Sequence, residues 1–163
     1  IWGGLELFGM TNGGGSLFTA VSDILMLLIC IHMIIGIKLT ADTIISIRRS
    51  GVFYVRENML FIIRRVSGFA LMIFTMIHVI IFTGSRTSGG YRLKPFNAPA
   101  LVSQILMVLA LMLHIGTNIT PLRIALGLSD KRNLRTDIAL VIAIILILSG
   151  IAFLVYFLRW QRI

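Results

Sequence analysis

The sequence holds a single cysteine, Cys30, among 163 residues. One thiol excludes an internal disulfide, a four-cysteine iron–sulfur cluster and the paired cysteines of a covalently attached haem. Charge is scarce too. Only 13% of the residues are Asp, Glu, Lys or Arg, and six of them are acidic, which is too little to wet the surface of a soluble domain. A dinucleotide-binding fingerprint is also missing, so any chemistry that needs such a cofactor belongs to another chain.

Apolar sequence is abundant. The chain is 58% hydrophobic with a mean hydropathy of +0.99, so lipid is the expected solvent. A spanning helix needs about 20 mostly apolar residues. Four stretches meet that need, at 17–37, 59–83, 101–119 and 138–158. They predict one all-α domain, an integral membrane four-helix bundle. Solid apolar runs of this length do not suit the short alternating strands of a barrel. The chain opens Ile1-Trp2-Gly3-Gly4 without an initiator methionine, which leaves room for an upstream segment.

The net charge of +9 does not call for nucleic acid, because the basic residues cluster between the apolar runs, where topology places them. Lys38, Arg48, Arg49, Arg56, Arg64, Arg65, Arg123, Lys131, Arg132 and Arg135 fall on one side of the predicted membrane. The other side has Arg86, Arg92, Lys94, Arg159 and Arg162. The richer side is expected to be the inner one. Both termini are then outside, in a bacterial plasma membrane or a mitochondrial inner membrane.

All three histidines lie inside predicted spans, where a polar group is costly and usually faces other helices. A lone intramembrane histidine can simply bond to a backbone carbonyl. Direction separates these three. The first and third spans run the same way, and His32 and His114 each stand five residues before the end of theirs, so they share a depth. The second span runs oppositely and puts His78 near the other surface. Two imidazoles at one depth on different helices can supply both axial nitrogens of a low-spin b-type haem, so His32 and His114 are the expected iron ligands. Gly36, Gly68 and Gly116 lie where small residues would let a flat macrocycle approach the backbone. Lys38, Arg48, Arg49, Arg64 and Arg65 lie at the same end and can neutralise propionates or serve only as topology signals.

The segment Phe61-Ile62-Ile63-Arg64-Arg65-Val66-Ser67-Gly68 resembles the His-Arg-Val-Ser-Gly segment of cytochrome b anchor subunits of succinate:quinone oxidoreductases. His32-Met33-Ile34-Ile35-Gly36-Ile37-Lys38 is similar to the His-x-x-x-Gly-Ile-Arg haem helix of the same family, and the resemblance covers residues 17–158. It implies a haem-carrying anchor that passes electrons between an iron–sulfur subunit and quinone. The flavoprotein and iron–sulfur subunits would dock on the inner face and hold the dicarboxylate chemistry, and a second small membrane subunit can accompany the anchor. Arg65 and Ser67 match the part of the segment that lines a quinone site in that family. Tyr54 and Arg56, in the inner connection, are further candidate donors.

Four departures accompany the resemblance. Arg64 replaces the family's histidine, and Phe61 replaces a serine four positions before the arginine. Met112 stands where some fumarate reductase anchors carry a proton-conducting glutamate. The five-helix anchors also have a fourth histidine, which these 163 residues lack. One haem per chain is therefore expected. A second would need a ligand from elsewhere to partner His78. Two rival readings remain open: a b-type cytochrome anchoring another respiratory dehydrogenase or reductase, and a small transporter or assembly protein with structural histidines.

Overall fold

The computed structural model describes residues 16–51, 59–82, 86–87, 90–91, 94–127 and 132–162. Four helices dominate: α1 (Ser16–Ser50), α2 (Met59–Phe82), α3 (Ala98–Ala125) and α4 (Arg132–Trp160). Between α2 and α3, two short strands, β1 (Arg86–Thr87) and β2 (Gly90–Tyr91), pair antiparallel. All four helices are long and apolar enough to cross a membrane. Helices suit that setting because each satisfies its own backbone groups where no water can.

The burial pattern points to the same solvent. Phe96, Ile119, Leu146 and Tyr156 are the only fully buried hydrophobic residues among those described, while dozens of Leu, Ile, Val and Met side chains face outward. In water such a surface would aggregate; in lipid it is the contact face.

Helix ends depart from the apolar runs in a consistent direction. The first span was expected to stop at residue 37, yet α1 continues to Ser50. The drop in hydropathy after Ile37 marks where polar residues begin, and nothing from Lys38 to Ser50 breaks a helix. Gly51 does, with a φ of 69°. Its N–H donates to the Ile47 carbonyl at 3.0 Å, closing the last turn. At the start of α3, the Asn97 side chain accepts from the Ala100 N–H at 3.0 Å, and Pro99 sits in the first turn, where it sacrifices no helical bond. The far end of α3 overruns the expected stop at residue 119, passes through Pro121 and ends at Ala125. Gly127 then turns the chain with a φ of 68°.

Among the described residues α2 packs closely on α3 and α3 on α4, whereas the backbone of α1 approaches only α2, and sparsely. Apolar surface gains nothing by leaving lipid for another apolar helix, so closure needs specific packing that α1 does not make. The one aromatic core gathers where α2 ends and α3 begins. Phe96 and Tyr156 lie at its centre, with Phe82, Phe153, Phe157 and Trp160 around them.

Candidate functional site

Parallel directions of α1 and α3 bring His32 and His114 to one level, with ring centroids 6.3 Å apart and planes at 84°. Metal–imidazole bonds of about 2 Å each, plus the inner halves of two rings, put the centroids of an axial pair about 6 Å apart. The pair fits a shared iron. His32 is exposed on α1 and His114 is half-buried on α3, with the gap between those helices not closed by backbone packing.

His114 has a partner on α2. Ser67 is buried, and its hydroxyl donates to the Arg64 carbonyl at 3.1 Å. Ser67 Oγ also lies 3.3 Å from Nδ1 of His114, a contact in which the ring is the donor in its Nδ1–H tautomer. That tautomer would leave Nε2 of His114 unprotonated, the form in which imidazole binds a metal. Gly68, the next residue, supplies the room. A Cβ there would lie 3.4 Å from Cε1 of the His114 ring. A Cβ at Gly36, one turn after His32, would meet nothing within 4 Å; the same holds at Gly116, which lies on a face of α3 turned about 200° from His114.

The two arginines of α2 have different duties. Arg64 Nε donates to the Thr117 carbonyl of α3 at 3.0 Å. Pro121 explains why that oxygen is free, since proline has no N–H for the carbonyl four residues before it. An unpaired carbonyl in the membrane costs several kcal/mol, and Arg64 removes that cost. Arg65 is less committed. Its Nη1 makes a long 3.5 Å contact with the Gly36 carbonyl, its guanidinium lies 4.9 Å from the Phe61 ring centroid, and its buried Nε has no partner among the described residues. Gly36 O already accepts from Thr40 Oγ1 at 2.7 Å.

Other expected site residues fall elsewhere. Arg49 lies seventeen residues beyond His32 on a continuous helix, about 25 Å along its axis. There it lines a shallow groove with Asp42, Ile45, Ser46 and Ser50, all on α1, so the structure does not bring it to the histidine pair. Arg64, expected beside propionates, gives its Nε to the Thr117 carbonyl, and Ser67, expected to face quinone, lies beside Nδ1 of His114. Tyr54 and Arg56 lie outside the described residues.

His78 sits with the aromatic core, 4.8 Å from the Phe82 ring and 5.9 Å from that of Phe153. Its Nδ1 meets Oε1 of Gln104 at 2.7 Å. Gln104 is fully buried and donates from Nε2 to Ser103 Oγ at 3.1 Å, which fixes its amide with the oxygen toward the histidine. The sequence reading overlooked Gln104. Its signal was available: an amide near the start of the apolar run 101–119 needs a partner, and His78 is a polar group in the adjacent span at that end.

No protein-family model, curated protein or solved structure matches the chain.

Proposed function

We propose that this chain is the cytochrome b membrane anchor of a succinate:quinone oxidoreductase or fumarate reductase, with His32 and His114 as the axial ligands of one b-type haem. The observation that carries the reading is the pair of rings at one level, 6.3 Å between centroids, with Ser67 Oγ 3.3 Å from Nδ1 of His114. A haem held there would supply one-electron exchange at its iron. The chain's own residues do the rest: Gly68 gives the His114 ring its place, and Gly36 leaves open the space one turn from His32.

Arg65 is the residue for quinone. A quinone oxygen gains negative charge on reduction, and a cation with a spare, desolvated N–H is suited to stabilise it. The succinate or fumarate chemistry belongs to flavoprotein and iron–sulfur subunits docked on the inner face. Support for that face comes from α1, which at 35 residues exceeds the length a bilayer needs and ends in Arg48 and Arg49. The distribution of Lys and Arg supports an inner or cytoplasmic membrane with both termini outside. The open side of α1 leaves room for a second small membrane subunit.

Purification of the native complex tests the proposal. Co-purification with a flavoprotein and an iron–sulfur protein is expected, with a low-spin reduced-minus-oxidised haem b spectrum that disappears in His32→Ala and in His114→Ala. Haem with a different respiratory partner would make the chain the anchor of another dehydrogenase. A colourless complex would leave the transporter or assembly reading.

A further inference from the structure

Proline inside a membrane helix removes one donor and strands one acceptor. In α3 the proline is Pro121, and the stranded acceptor is the carbonyl of Thr117. Water is not there to cap it. The donor comes from another helix, as Arg64 Nε of α2, at 3.0 Å.

The same turn of α3 carries His114. Thr117 Oγ1 shares its one proton between the carbonyls of Leu113 and His114, at 2.9 and 3.1 Å, and Asn118 Nδ2 donates to the His114 carbonyl at 2.7 Å. From α2, the Arg64 carbonyl holds Ser67, and Ser67 holds the His114 ring. Arg64 therefore reaches this turn twice, by its side chain to Thr117 and by its backbone through Ser67 to the imidazole.

We propose that Arg64 is a positioning residue that stands in for the amide proton Pro121 lacks, fixing the α3 turn from which His114 projects. Its charge is then secondary to its role as an N–H donor. Arg65 offers the contrast: the adjacent cation leaves a buried N–H without a partner among the described residues, whereas Arg64 has one on the backbone of α3. The bond stands on geometry alone. Only its consequence for an axial ligand rests on the function proposed above.

A double-mutant cycle tests the assignment, because Pro121→Ala returns the missing N–H to the helix and makes Arg64 redundant. In the purified complex in detergent, Arg64→Met should lower the thermal midpoint by about 5 °C. Pro121→Ala should change it little. In the Pro121→Ala background the same Arg64→Met substitution should lose most of its effect. Isotope-edited infrared of the Thr117 carbonyl supplies a reading independent of haem: its amide band should rise in frequency in Arg64→Met and return in the double variant. If Arg64→Met fails to accumulate, recovery of membrane-inserted protein in the double variant reports the same rescue. Where haem is present, the low-spin spectrum should be perturbed in Arg64→Met and restored in the double variant. Equal losses with and without Pro121, and an unshifted carbonyl band, would overturn the proposal and return Arg64 to pairing with an anionic group. A colourless sample that still shows the rescue would sink the haem reading and leave the positioning role intact.

Discussion

At the His78 end the protein supplies every partner its polar groups are seen to use; at the His114 end it stops short. Around His78, Gln104 is fully buried yet bonded on both sides of its amide, and Phe82, Phe96, Phe153 and Tyr156 stack against one another at 5.0–6.1 Å. Around His114, the neighbouring histidine is exposed, Gly36 borders open space, and Arg65 buries an Nε without a partner among the described residues. A buried N–H is costly to leave unpaired. The difference separates a closed polar network that stabilises helix packing from an arrangement that a ligand would complete.

The largest break in that comparison should come from Gly68. An alanine Cβ would sit at ordinary contact distance from the His114 ring, 3.4 Å, and should be accepted. Valine adds two methyls in a stiff β-branched rotamer and must push the imidazole off Ser67. Gly68→Val is expected to abolish the low-spin haem spectrum while Gly68→Ala retains it, as read by reduced-minus-oxidised spectroscopy of purified membranes. Retention in both variants would mean that the ring is not held where it lies.

A smaller effect, at the opposite end, sharpens the contrast. Gln104→Leu keeps the bulk but removes the acceptor for His78 Nδ1 and should cost about 1–3 kcal/mol. The loss should appear as a lowered thermal midpoint in detergent, with the haem spectrum unchanged. A spectrum that weakened with Gln104→Leu would turn the glutamine into the outer support of a second ligand and raise the haem count above the one proposed here.

The sequence made some of this visible and hid the rest for physical reasons. The four spans were readable because lipid demands long apolar runs, and the common level of His32 and His114 followed from counting residues along helices of known direction. Helix ends were misjudged because hydropathy reports where lipid stops, whereas a helix stops where its backbone finds other partners. Ile37 is the first kind of boundary and Gly51 the second. Pro121 misled for a related reason: it ends a helix unless something else satisfies the carbonyl it strands, and Arg64 lies fifty-three residues away from Thr117. Arg49 was expected near the histidines only as one of the basic residues at the inner end, and the continuous helix carries it about 25 Å from His32. The sparse packing of α1 had no local signature.

The smallest expected effect concerns the link that closes the His78 end. The phenol of Tyr156 accepts from the Lys94 N–H at 2.7 Å and lies 3.4 Å from the Lys94 carbonyl, tying the segment before α3 to the end of α4. Its ring packs edge-on against Phe96 at 5.0 Å and Phe82 at 5.4 Å. Tyr156→Phe preserves those ring contacts and removes only the oxygen. The expected cost is about 1 kcal/mol, the net value of one such hydrogen bond. Two measurements isolate it: a thermal midpoint lowered by a few degrees, and faster hydrogen exchange at the Lys94 amide with little change at amides within α3. Because the aromatic cluster survives, Phe96 should stay buried and the haem spectrum should not move. A loss as large as that of Gln104→Leu would show that the phenol oxygen, rather than ring packing, holds this end together, and the two ends of the molecule would then both depend on single polar contacts.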